Sequence, residues 1–191
     1  MLSRASVRFL LASVFLCGFL AGCSSSKKVD ITCTKQYWNG TIGMCLPDGW
    51  NVMEKERLDQ LGVPSDTVLV LQTDQPVSGT YPNVAVTTET LARPVGTPEY
   101  SKGSVRAVSA LPGYQLIDER TAKVDGMESE IHVYSAQPSA DQPRVRFYQE
   151  SAVSNGVGYT VTAFAPLSVS QALEQQILLM LQSFTFVKSS K

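Results

Sequence analysis

Two dipeptides, Asp125-Gly126 and Asn155-Gly156, each stand between two runs of strand-forming residues. A two-residue hairpin loop of this kind needs positive φ at both central positions, which Asp, Asn and Gly tolerate best. The two dipeptides therefore predict one hairpin from Tyr114–Val124 and Met127–Ser135, and a second from Arg144–Ser154 and Val157–Ala165. Long antiparallel strands in succession commit the chain to a sheet, and a sheet must bury at least one face against another layer. Further strands precede them. Thr67–Thr73 is rich in Val and Leu and reads as a buried strand, and Asn83–Leu91 alternates through Val84, Val86 and Thr88. Leu46-Pro47-Asp48-Gly49-Trp50 is a turn into a short strand, Trp50–Met53. Glu54–Gln60 reads as a short helix ended by Gly62 and Pro64, and Asp74–Pro82 as a loop.

Two longer helices supply the covering layers. Thr97-Pro98-Glu99 opens the first, with Thr97 as cap, Pro98 at the first helical position and Glu99 at the positive end of the dipole. Its expected inner face is Tyr100, Ser104, Ala107, Val108 and Leu111, and Pro112-Gly113 stops it. The second follows a capping box at Ser168–Gln171 and places Leu173, Ile177, Met180, Leu181 and Phe184 on one face. The expected class is α+β, a central antiparallel sheet flanked by helices.

The first residues have another use. An apolar run, Phe9–Phe19, follows Arg4 and Arg8 and closes on Leu20-Ala21-Gly22-Cys23, with three serines after it. The run has the length of a signal h-region and is too short to span a bilayer core of ~30 Å. Cysteine after Leu-Ala-Gly is the layout of a bacterial lipoprotein signal, cut before Cys23, whose new N-terminus takes palmitate-type acyl chains. Each buried CH₂ contributes about 0.8 kcal/mol, so several chains make a durable anchor. The expected organisation is a signal peptide over 1–22, a lipidated tether over 23–30, one domain over 31–187 and a tail over 188–191. Ser24 in place of an aspartate fits sorting to the periplasmic face of an outer membrane in a diderm. In a monoderm the chain would sit on the outer face of the plasma membrane. Cleavage removes two of the 16 Lys+Arg and none of the 17 Asp+Glu. The remaining chain is mildly acidic and offers no basic face for nucleic acid.

Of the other cysteines, Cys17 leaves with the signal, and Cys33 and Cys45 form an even pair in an oxidising compartment, where a disulfide is the default. Ile31–Tyr37 and Thr41–Leu46 are strand-like about Asn39-Gly40. A three-residue loop, Trp38-Asn39-Gly40, sets Tyr37 opposite Thr41 and Cys33 opposite Cys45, whereas a two-residue loop puts the sulfurs on opposite faces.

The order of these pieces resembles the PsbP-like fold, shared by PsbP, the Mog-type Ran-binding proteins, DcrB-like lipoproteins and LpqN-type mycobacterial lipoproteins. The matching segments are Leu46–Trp50, Pro98-Glu99-Tyr100, Leu111-Pro112-Gly113-Tyr114, Val124-Asp125-Gly126 and the stretch Ile177–Phe186. They span roughly residues 31–187. The resemblance implies a PsbP-like αβα sandwich whose known members mostly bind or stabilise protein partners and share no catalytic set. The Cys33/Cys45 hairpin is not one of its hallmarks.

The search for chemistry is short. His132, the single histidine, lies in a predicted strand where Ile131 and Val133 would face the core, and it is expected to be half-exposed. Alone it cannot supply a multi-histidine metal site, and no Gly-x-Ser-x-Gly elbow accompanies it. Asp118, Glu119, Glu128 and Glu130 lie on paired strands near Arg120 and Lys123, which predicts ordinary cross-strand ion pairs. Gly156-Val157-Gly158 lacks the Lys and Ser of a phosphate loop. No cofactor, metal or catalytic residue is expected. Tyr37 and Trp38 at a hairpin tip and Tyr81 in a long loop are the candidate partner-binding residues. The expected function is that of a lipid-anchored envelope accessory protein that binds a protein partner. The alternatives are an envelope hydrolase using His132 and a lipoprotein that binds a small apolar ligand.

Overall fold

The computed structural model describes residues 33–139 and 141–188. The signal, Cys23 and the tether lie outside them. Twelve elements follow in order: β1 (Gln36–Trp38), β2 (Gly43–Cys45), β3 (Trp50–Val52), α1 (Lys55–Gln60), β4 (Thr67–Thr73), β5 (Asn83–Thr90), α2 (Thr97–Val108), β6 (Gln115–Val124), β7 (Met127–Ala136), β8 (Val145–Ser154), β9 (Val157–Ala165) and α3 (Gln171–Gln182). Strands β3 to β9 form one antiparallel sheet in the order β3-β4-β5-β9-β8-β7-β6, and β1-β2 form a separate hairpin. This is the expected α+β architecture.

Both Asx-Gly turns form as two-residue loops. Val124 pairs with Met127 and Ser154 with Val157, and all four loop residues, Asp125, Gly126, Asn155 and Gly156, have positive φ. Those turns fix the register of the four long strands, and register decides the faces. One face carries Leu69, Leu71, Val84, Val86, Ile131, Val133, Val161 and Ala163, packed against Ile177, Met180 and Leu181 of α3. The apolar stripe of α3 is the one read from the sequence, although Ser170 and not Ser168 caps it, accepting from the Leu173 amide at 3.2 Å.

The other face is covered by α2, and here the expectation needs correction. Gly96, not Thr97, is the cap. Thr97 is buried, and its Oγ1 accepts the Val153 amide at 3.0 Å. Tyr100 and Ser104 face the sheet as expected, but Ala107 is exposed, and Thr97 and Ser101 are the buried residues of the inner face. Ser104 Oγ lies 2.5 Å from Gln149 Nε2 and 3.0 Å from Ser151 Oγ. The helix is thus held by hydrogen bonds to polar residues of β8, which no hydrophobic periodicity reveals. Tyr100 packs against Gly158, where an added Cβ would overlap its ring.

The N-terminal hairpin also departs from its expected register. Tyr37 faces Met44 and Gln36 faces Cys45, so the loop is Asn39–Ile42. The Asn39 Oδ1 accepts from both the Thr41 and Ile42 amides, at 3.0 and 2.9 Å. That wider loop drives Ile42 into the core, where it is fully buried with Met44 and Leu46. Cys33 nevertheless bonds Cys45, with Cα atoms 5.5 Å apart. Cys33 stands outside β1, so the bridge ties a segment that has left the ladder back to β2. The C-terminal segment locks the same corner through a Gly43–Thr185 bridge and through Asp125, whose carboxylate accepts from Thr185 Oγ1 and the Phe186 amide.

Candidate functional site

Two places on the described chain gather functional chemistry. The first lies on the α2 side of β6 and β7. Counting outward from the Asp125-Gly126 turn, Glu119 faces His132 and Thr121 faces Glu130. Glu130 and His132 are two residues apart on one strand and so share a face. The sheet therefore converges Glu119, Glu130 and His132. His132 Nδ1 lies 3.2 Å from Glu119 Oε1 and 3.6 Å from Glu130 Oε1, and the three ligand atoms are all within 4.8 Å of one another.

His132 is not the half-exposed strand residue that alternation suggests. Its side chain is 1 % exposed, against 48 % for Glu119 and 34 % for Glu130. Aromatic rings bury it. The Tyr114 ring lies nearly parallel to the imidazole and its hydroxyl is 2.8 Å from Nε2. Tyr134 packs beside it with ring centroids 5.4 Å apart, and Phe147 continues the row. Burial, and then the charges of Glu119 and Glu130, push the Tyr114 phenol up from its usual value, so Tyr114 stays neutral. Tyr134, deeper still, is pushed up by burial. The expected cross-strand pairs with Arg120 and Lys123 do not form among the described residues: Asp118 pairs with Arg120 on its own strand at 2.6 Å, and Glu119 turns to His132. Among the described residues no serine, threonine or cysteine side chain bonds either ring nitrogen of His132. The geometry thus does not assemble a nucleophile–histidine pair.

The second place is the hairpin end. Tyr37 and Trp38 are half-buried, not free at a tip: Tyr37 packs on the core and Trp38 lies over Gly43. Both line a groove of about 480 Å³ together with Met44, Thr185, Val187 and Lys188. Tyr81 is 47 % exposed and is not part of that groove. The structure therefore brings together two of the three aromatic residues proposed for partner contact. The contribution of the C-terminal segment was not legible, because nothing local in Thr185–Lys188 signals where that segment docks. The pairing of Glu119 with His132 was legible in principle, since a two-residue Asp-Gly loop fixes which residues face each other.

No family model matches the sequence, and no curated protein does. Solved structures do. The chain is similar to the cyanobacterial PsbP (CyanoP) of Synechocystis, with a TM-score of 0.55, 13% identity, and coverage of 89% of this chain and 100% of that one. It is similar to LpqN of Mycobacterium tuberculosis, described as involved in cell envelope biogenesis, with a TM-score of 0.56, 17% identity, and coverage of 75% and 82%. It is also similar to the Ran-binding protein Mog1p of Saccharomyces cerevisiae, with a TM-score of 0.53, 12% identity, and coverage of 80% and 94%. At these identities the likeness is one of fold, and the fold is PsbP-like.

Proposed function

We propose that this chain is a lipid-anchored accessory protein of the bacterial cell envelope that binds or stabilises a protein partner close to the membrane surface. The observation that carries the reading is the groove beside Tyr37 and Trp38, at the end where the described chain begins. Cys33 follows Cys23 by ten residues, at most about 35 Å of fully extended chain. An acylated Cys23 would hold the groove within that reach of the bilayer. The fold lends support by analogy, since it serves in LpqN, involved in cell envelope biogenesis, and in the Ran-binding Mog1p. Half-buried aromatic residues in a concave surface are the usual anchors of a protein partner. The hydrolase reading has no such support, because His132 is buried and its Nε2 lies against Tyr114. Photo-crosslinking from position 38 in native membranes, with a Cys23→Ser chain as the control for anchoring, tests the proposal.

A further inference from the structure

We propose that Glu119, Glu130 and His132 form a binding site for a divalent transition-metal ion, with Zn²⁺ the best fit. The first argument is an unused nitrogen. His132 Nδ1 is buried and points at two carboxylates 3.2 and 3.6 Å away, yet neither contact has the geometry of a hydrogen bond. A buried polar atom left without a well-formed hydrogen bond is costly, so it requires a reason. The second is charge. Among the described residues no Lys or Arg comes within ion-pair distance of Glu119 or Glu130, although Lys102 borders the same cleft as Glu130, and His132 is the basic group that contacts both. Two carboxylates converging on a bare imidazole nitrogen make a concentrated negative site that a cation would relieve.

The third argument is size. Four tetrahedral ligands at about 2.0–2.1 Å from Zn²⁺ stand roughly 3.3 Å from each other. The observed separations from Nδ1, 3.2 and 3.6 Å, bracket that value. The fourth is orientation. A metal-bound histidine usually donates its other N–H to an oxygen, which fixes the tautomer. Tyr114 Oη, 2.8 Å from Nε2, is in place to accept that proton, which leaves the Nδ1 lone pair directed at the carboxylates. Three protein ligands leave room for water or for a group brought by another molecule. A cleft of about 180 Å³ between α2 and β6–β7, bordered by Ser101, Lys102, Thr121, Glu128 and Glu130, opens beside Glu130, and Glu119 is itself half-exposed.

One imidazole nitrogen with two carboxylate oxygens favours Zn²⁺ over Mn²⁺, and both over the hard ions Mg²⁺ and Ca²⁺. The sole histidine makes the test specific, because its ring carbon and proton NMR signals come from His132 alone. The full chain, untagged and in detergent, is titrated with ZnCl₂ while those signals and the heat of binding are followed. The expected result is saturation at one equivalent, a shift of the histidine signals, and at least tenfold weaker binding in each of Glu119→Gln and Glu130→Gln. Both variants alter partly exposed side chains, and unchanged amide spectra elsewhere confirm that they are folded. The site is refuted by any of three results: no saturable binding, binding that leaves the histidine signals in place or is equal in the variants, or equal displacement of Zn²⁺ by Mg²⁺.

Discussion

Glu150 occupies a position that alternation along β8 assigns to the core face, between Tyr148 and Ala152. It is 1 % exposed, with the Ser129 hydroxyl beside its carboxyl group. Burial pushes its carboxyl up from 4.5 to about 7. Between those two pH values the folded chain keeps a proton that the unfolded chain has released. Its contribution to stability is therefore full below pH 4.5 and is lost as the pH rises to about 7. The whole effect is about 3 kcal/mol. Glu150→Gln should remove this slope, so urea denaturation should find the variant more stable than the parent at pH 8 and not at pH 4.5. Parallel pH profiles for the two chains would refute the assignment. Nothing in the structure explains why an acid stands there. Gly158, by contrast, is explained by the Tyr100 ring packed on it. Gly158→Ala should push Tyr100 off the sheet and lose its contact with Thr160 Oγ1, 3.4 Å away. Overpacking of this kind costs about 1–3 kcal/mol, and a loss of stability below ~0.5 kcal/mol would show that the ring yields freely.

At the scale of elements, what the sequence reveals depends on what holds each element. The hairpins β6-β7 and β8-β9 were legible, because Asp125-Gly126 and Asn155-Gly156 determine loop length and register by backbone conformation alone. Helix α3 was legible because Leu173, Ile177, Met180 and Leu181 repeat with the helical period. Helix α2 was legible as a helix but not in its docking, because Thr97 and Ser104 hold it through tertiary hydrogen bonds. The β1-β2 hairpin was legible as a disulfide and misread in register, since the Asn39 side chain stabilises a loop longer than Asn39-Gly40 suggests. That hairpin is short, and the bridge closes a separation of 12 residues, which corresponds to a contribution of about 3 kcal/mol at most. Replacing both Cys33 and Cys45 by Ser should cost about that much, with hydrogen-exchange protection lost in β1-β2 and kept in β8-β9. Equal loss in both places would mean that the hairpin and the sheet open as one unit.

For the whole molecule, the sandwich is asymmetric. One face of the sheet is closed by α3 and the N-terminal hairpin over an apolar core. The other carries the polar and aromatic residues that hold α2 and converge at His132. The buried place of His132 could not be read from alternation, because that rule assigns a residue to a face and does not say what covers the face. The aromatic residues at positions 37 and 38 were legible as interaction candidates, yet their shared groove depends on Thr185–Lys188 arriving from the far end of the chain. The central claim is that this groove meets a protein partner while Cys23 holds the domain at the membrane. The measurement that tests it most directly is photo-crosslinking with a photoreactive amino acid at position 38, compared with one at Arg106 on the exposed side of α2. The account predicts one dominant protein adduct of defined mass from position 38, none from position 106, and loss of the adduct when Cys23→Ser removes the anchor. The same adducts from both positions, no protein adduct from position 38, or an adduct that persists without Cys23 would contradict it.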